Sequence, residues 1–328
     1  MTEPTNASTT LPSLKLERIA AEGSIPLWTV TARVGAWTGS AALVLLLQLA
    51  TQYLFFLALY LFSPRQSIIN VAVAYGTVFL LQAIEGALRP GRRFRVLTSL
   101  AMCNTICLFY AATPGRWTYV VLLVTLAWLS RTFIVNRDGR HLFNPGTFGV
   151  FWGGLLCSSG LQVGAWVHPI SHGFTHIPHF TLVVAGLGAL QAYLGGHLDV
   201  VLPLLAGTYL TRGYPSSAEL IIFLFAATDP VTIPRQLWHR IQFGLTASII
   251  TGVLWQQTSN ELVKVGGLMA TGLIMPFFVR IDYDAWAARS LGPIGTVAFW
   301  SRAPLRVIGA LLVAAYGFKA DVVYPHRE

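Results

Sequence analysis

Residues Gly35–Leu61 read Gly-Ala-Trp-Thr-Gly-Ser-Ala-Ala-Leu-Val-Leu-Leu-Leu-Gln-Leu-Ala-Thr-Gln-Tyr-Leu-Phe-Phe-Leu-Ala-Leu-Tyr-Leu. The stretch has no charged residue and no alternation of polar with apolar positions. A lipid-spanning strand alternates with period two, whereas a spanning helix is apolar on every face. About 20 such residues suffice to cross a bilayer, so this run predicts a transmembrane helix. Runs of the same kind follow at Ser67–Ala87, Val96–Ala112, Tyr119–Val135, Thr147–Gly164, Thr181–Leu194, Val200–Thr211, Glu219–Ala227, Ile241–Gln256, Val265–Phe278 and Leu305–Phe318. Val200–Thr211 and Glu219–Ala227 are too short to span alone and read as half-helices or broken spans. The expected fold is all-α: a polytopic integral membrane protein of about ten or eleven helical segments.

Composition agrees. Of 328 residues, 54% are hydrophobic and only 11% charged, against about a quarter charged in a soluble domain. Mean hydropathy is +0.61. Disorder, a coiled coil and an ordinary cytosolic enzyme are excluded on these grounds. The net charge of +9 invites a nucleic-acid reading, but its placement argues otherwise. With the N-terminus cytoplasmic, the alternating segments put Lys15, Arg18, Arg33, Arg89, Arg92, Arg93, Arg95, Arg131, Arg137, Arg140, Arg235, Arg240, Arg280, Arg289, Arg302 and Arg306 inside. Only Arg65, Arg116, Arg212 and Lys264 fall outside, with Lys319 and Arg327 dependent on the last helix. That bias is the positive-inside rule. The expected partner is therefore the lipid bilayer, with no nucleic acid, and the expected location a bacterial inner membrane. The polar Thr/Ser/Pro-rich start lacks the basic and apolar regions of a cleavable signal. Three parts are expected: a polar or amphipathic cytoplasmic segment at 1–34, a transmembrane inverted-repeat domain at 35–280, and an interfacial segment with a C-terminal helix and tail at 281–328.

Two segments echo one another: Phe143-Asn144-Pro145-Gly146-Thr147-Phe148-Gly149 and Thr228-Asp229-Pro230-Val231-Thr232-Ile233-Pro234. Both read Asn/Asp-Pro-x-Thr-apolar. Pro suits the first position of a helix, and Asn or Asp before it is a natural cap for an orphan backbone N–H. Taken singly, each is a capped helix start at the membrane edge. As a pair beside interrupted hydrophobic segments, they suggest a repeat-built membrane protein with its site between the repeats. The candidate ligand-binding residues are accordingly Asn144, Pro145, Thr147, Glu219, Asp229, Pro230 and Thr232.

Phe-Asn-Pro with Gly-Thr-Phe-Gly, followed by Ala-Thr-Asp-Pro-Val-Thr, resembles the NqrB/RnfD family of membrane electron-transport subunits. The likeness covers roughly residues 65–280, in motif order and hydropathy. It implies an inverted-repeat fold related to that of urea transporters, flavin-linked electron transfer and redox partner subunits. The family's flavinylation motif, Ser-Gly-Ala-Thr, is missing; His168-Pro169-Ile170-Ser171-His172-Gly173-Phe174-Thr175-His176 stands in its place. The resemblance therefore implies no covalent flavin, and points to the UnbU-like branch, encoded near enediyne biosynthesis genes, which lacks the motif. A flavin or quinone, if bound, is expected to be held non-covalently.

Other chemistry is weighed residue by residue. His168, His172, His176 and His179 share one face if helical, a spacing that suits a metal or haem. Pro169, Gly173 and Pro178 interrupt that helix, no carboxylate accompanies the cluster, and a polar external loop is the preferred reading. Glu85 is expected to pair with Arg89 at i,i+4. Glu219 is either a first-turn acid after Ser216 or Ser217 or a residue of the central cavity, and with Asp229 is the best candidate for a proton or cation contact. Cys103 and Cys107 share a helix face, but with Cys157 as the one further thiol they are read as core residues. No nucleophile-elbow or Walker sequence occurs. Three functions from different classes follow: a redox subunit with a non-covalent flavin or quinone, an inverted-repeat permease for a small molecule or natural product, and an assembly protein with a degenerate site. Oligomerisation is compatible with each.

Overall fold

The computed structural model describes residues 41–62, 68–89, 96–109, 117–135, 141–158, 179–213, 217–228, 232–234, 236–258, 262–278, 283–300 and 303–323. The expected cytoplasmic segment at 1–34 lies outside them. The protein is all-helical: the described residues contain no strand beyond a single bridge between Val135 and His141. The helices are α1 (Ala41–Phe62), α2 (Ile68–Leu88), α3 (Val96–Phe109), α4 (Trp117–Phe133), α5 (Pro145–Ser158), α6 (Phe180–Gly195) and α7 (Leu198–Arg212). They continue with α8 (Ser217–Ile221), a π-helical turn (Ile222–Ala226), α9 (Leu237–Thr258), α10 (Leu262–Phe278), α11 (Tyr283–Leu291), a 3₁₀ turn (Gly292–Gly295), α12 (Val297–Trp300) and α13 (Ala303–Val323).

Local chemistry sets these limits. Pro145 starts α5, where its missing N–H costs nothing. Gly196, at φ 72°, ends α6 in the left-handed conformation that closes a helix with least strain, and its N–H reaches back to Tyr193 O. Asp199 and Arg212 sit in the first and last turns of α7, each complementing the helix dipole. The short run at 219–227 is a broken element: α8 widens into the π turn before the chain leaves it. The region expected to lie along an interface, 281–300, folds as α11, the 3₁₀ turn and α12, pinned by Trp238 Nε1 donating to Gly295 O at 3.1 Å.

Among the described residues, α2 is long and apolar enough to cross a bilayer, and shorter apolar helical stretches occur at Leu45–Leu57, Val96–Leu108, Trp117–Phe133, Phe180–Gly195 and Val265–Phe277. These features are compatible with a membrane protein. The distribution of side chains is informative too. Large apolar residues face outward on α2 (Ile68, Ile69, Leu80, Ile84) and α13 (Ile308, Leu311, Leu312, Phe318), while Gln48, Gln52, Asn104, Thr147, Gln191 and Glu219 are buried.

One packing scheme occurs twice. In residues 41–158, α3 packs on α1 and α2, α2 packs on α4, and α4 packs on α5. In residues 180–278, α8 with its π turn packs on α6 and α7, α7 packs on α9, and α9 packs on α10. The directions match as well. Helices α2 and α4 run parallel, since Glu85 meets Trp128 and Arg89 lies over the Phe133 ring. Helices α7 and α9 also run parallel, since Gly244 abuts Val200, Gly207 abuts Ser248 and Gly252 abuts Thr211. The two sets touch through like members, α1 with α6 and α5 with α10. The second contact is antiparallel: Gly154 meets Leu262, Gly266 meets Phe151 and Gly272 meets Phe143. Helix α13 covers α6 on the other side, with Gly317 against Ala185.

This scheme corrects the expectation that the Asn144 and Asp229 motifs occupy corresponding places. Asn144 precedes α5, the fifth helix of its set, whereas Asp229 follows the π turn, the third. By packing, the position matching Asp229 is the α3–α4 connection, where Ala111-Ala112-Thr113-Pro114 stands beside Ala226-Ala227-Thr228-Asp229-Pro230 in sequence. The short Asn/Asp-Pro echo is set by helix-start chemistry, which any capped helix shares.

Candidate functional site

The first set of helices meets the second at the π turn. A π turn leaves carbonyls out of register with the α-helical ladder and is often found at functional sites. Here two side chains reach those carbonyls. Gln48 Nε2 of α1 donates to Phe225 O at 3.3 Å, and Asn144 Nδ2 donates to Ala226 O at 3.5 Å. The tertiary structure thus brings Asn144 to the segment that carries Asp229. Asn144 is also the cap of α5: its Oδ1 accepts from Thr147 N at 3.1 Å, and Thr147 Oγ1 returns a bond to Asn144 O at 2.9 Å. Thr147 is fully buried and Pro145 buried. Replacing Asn144 by alanine removes both the cap and the bridge, and is expected to cost about 1–2 kcal/mol. Asn144→Asp keeps the acceptor but loses the donor, and its loss should be smaller; thermal unfolding in detergent measures both.

A cleft of about 250 Å³ lies beside the turn, lined by Gln52 and Phe55 of α1, Thr105 and Leu108 of α3, and Ile221, Phe225 and Ala226 of the broken element. Gln52 Nε2 donates to Thr105 Oγ1 at 3.2 Å, and Thr105 passes its own proton to Ala101 O at 2.8 Å. Gln52 Oε1 has no partner although the residue is 2% exposed. A buried acceptor without a donor costs about 1–3 kcal/mol, so it marks a place where a ligand donor is favoured. Phe55 forms the apolar wall, edge-on to Phe180 at 5.4 Å and to Phe225 at 5.6 Å. Nearby, Tyr53 and Tyr75 hydroxyls lie 2.9 Å apart, and Tyr75 donates to Asn104 Oδ1.

The remaining candidates fall elsewhere. Glu219 is buried, but it binds Arg212 rather than lining the cleft, and the Arg212 guanidinium lies 5.7 Å over the Trp255 ring. Thr232 is half-buried. Asp229 and Pro230 lie outside the described residues, as do His168, His172 and His176. His179 is exposed and turns the chain into α6 at φ 56°. Among the described residues, no group of three or more His, Cys, Asp or Glu is placed to hold a metal. Cys103 and Cys107 are free and buried, with Cys103 Sγ on Ala74 O at 3.4 Å. Glu85 accepts from Trp128 Nε1 at 3.3 Å.

Sequence reading missed the glutamines of α1 and α6, although a neutral amide inside an unbroken apolar run is itself a signal of cost and use. It also missed an ion cluster at the α6–α7 turn. There Asp199 meets Arg240 at 2.8 Å, and Arg306 reaches Tyr193 O and lies 5.0 Å over the Tyr193 ring. Burial first, then the Arg240 and Arg306 charges, push the His197 imidazole down to about 4, so it stays neutral at ordinary pH.

The flavin expectation is tested by this geometry. The lining of the cleft has no cation for a flavin phosphate, and its volume falls below the ~300–1,000 Å³ usual for drug-sized ligands. A whole flavin nucleotide does not fit these residues. A single ring or a small neutral molecule does. No family model matches the chain, and no curated protein matches it.

Proposed function

We propose that the chain is a polytopic membrane protein of inverted-repeat design, α1–α5 and α6–α10, that binds a small neutral polar molecule between its halves and passes it across the bilayer. The doubled packing scheme supports the repeat. Each set has five helices, an odd number, so the second set enters the membrane from the opposite side. The antiparallel contact of α5 with α10 is what a twofold axis in the membrane plane produces. The outward apolar surfaces of α2 and α13, set against a buried amide interior, suit lipid rather than water.

The observation that carries the function is the unpartnered Gln52 Oε1 in an uncharged cleft beside a helix break. Repeat-built transporters place their sites at such breaks, near the midplane, where helical backbone is interrupted. Neutral amides there recognise a neutral solute without the large desolvation cost of a charge. The test is stopped-flow light scattering of proteoliposomes given urea, formamide or glycerol gradients. Solute flux well above that of empty vesicles is expected for at least one probe, and Gln52→Leu should lower it at least about tenfold, because an apolar group leaves the solute's donor unpaired. Flux equal to empty vesicles for all three probes would sink the proposal.

A second reading, a redox subunit of the NqrB/RnfD type, draws on the motif resemblance and on one structural feature. The Phe55, Phe180 and Phe225 rings, with the Tyr53–Tyr75–Asn104 chain nearby, offer an apolar slot and hydroxyl groups to a quinone head. Bound flavin or haem would colour the purified protein, and quinone would be recovered by solvent extraction. Colourless protein free of extractable quinone counts against this reading.

A further inference from the structure

Gln191 is fully buried in the middle of a helix, and neither its Oε1 nor its Nε2 has a partner. Two unmet amide atoms inside one apolar helix are a large unbalanced cost unless something else meets them. Its place in the fold says what. Helix α6 occupies in the second set the station that α1 holds in the first, and Gly188-Ala189-Leu190-Gln191 stands beside Leu49-Ala50-Thr51-Gln52 in sequence. Gln191 lies about three turns after Phe180 and less than one turn after Gly188, so all three share a face. Phe180 touches Phe55 of the cleft wall, and Gly188 abuts Leu224 of the π turn. The opposite face, Thr181 and Ala185, is taken by α13 at Gly317. Gln191 therefore points to the boundary between the halves, not to the outer helix.

We infer that Gln191 is the counterpart of Gln52 across the repeat axis, and that the two amides together bind a small planar neutral molecule bearing N–H donors and a carbonyl, of the urea or primary-amide class. This rests on the permease reading above and narrows its substrate. The free atoms set the class: Gln52 offers an acceptor, while Gln191 offers an acceptor and a donor. A ligand that meets all three must donate at least twice and accept once. A quinone, which only accepts, satisfies one of them.

The test uses full-length protein in proteoliposomes with urea as the probe, and thermal unfolding of the same variants in detergent. Gln191→Leu is expected to lower protein-dependent urea flux at least about tenfold, as a lost donor–acceptor pair would. It should also leave the unfolding temperature unchanged or raised, because leucine removes two unmet polar atoms. Gln191→Glu, which keeps the size but buries a charge, should lower both. Three results would overturn the inference. If Gln52→Leu abolishes flux while Gln191→Leu retains it, the permease reading stands and the second amide falls. If Gln191→Leu lowers the unfolding temperature, the side chain is a structural bridge. If the unaltered protein shows no urea flux above empty vesicles, the urea class falls, and the permease reading falls with it when formamide and glycerol also fail.

Discussion

Arg212→Leu is expected to destabilise the protein by about 3–5 kcal/mol, because it strands the Glu219 carboxylate in the interior. The side chains of the pair are 9% and 4% exposed, and the guanidinium is also stacked on Trp255. Removing one partner of a buried pair leaves an uncompensated charge, whereas removing both leaves only apolar volume to fill. The double variant Arg212→Leu/Glu219→Leu should therefore recover most of the loss. Thermal unfolding in detergent across the four proteins gives the coupling directly. Equal losses in the single and double variants would mean that the pair contributes little and that Arg212 acts through packing on Trp255 alone.

The second large effect is expected at the glycines that let the parallel helices touch. A Cβ at Gly244 would lie 2.5 Å from Val200 O, and one at Gly149 would lie 2.4 Å from Leu123 O. Both contacts are with backbone, which cannot swing aside as a side chain can. In a membrane, where no hydrophobic drive holds helices together, close approach over small residues supplies much of the association. Gly244→Val and Gly149→Val should each cost about 3 kcal/mol and reduce the monodisperse fraction on size exclusion. Gly186→Ala is the control. A Cβ there meets nothing within 4 Å, and the change should be neutral or stabilising by up to about 1 kcal/mol.

These two predictions also show what could be read without coordinates. Glu219 was legible as a costly acid beside a short apolar run, and Arg212 as a base seven residues earlier. Their pairing was not legible, because it needs the turn after α7 to fold back, and Gly213 at φ 87° makes that turn. Gly244 and Gly149 were visible as glycines in helical runs, but nothing in the local pattern names the helix each one faces. Asn144 was readable as a cap, since capping is decided within three residues. Its second bond, to Ala226 O, joins positions far apart in the chain and depends on how α5 lies against the π turn. Gln52 and Gln191 were passed over because the charged and Pro-containing motifs drew the eye, although an amide in an apolar run carries the same signal of cost.

The sequence by itself determined that the chain is helical, where nearly every helix begins and ends, and that its surface is poor in charge. Those properties are local. A helix closes its hydrogen bonds within four residues, and capping, Gly and Pro act over one turn. Only the tertiary structure decided that α1–α5 and α6–α10 repeat one packing scheme, that the Asn/Asp-Pro echo does not mark that repeat, and that two glutamines lie at its boundary. Helix contacts are made between segments far apart in sequence, through the shapes of glycine-bearing faces. Which buried polar atoms end up without partners is known only once those faces have met.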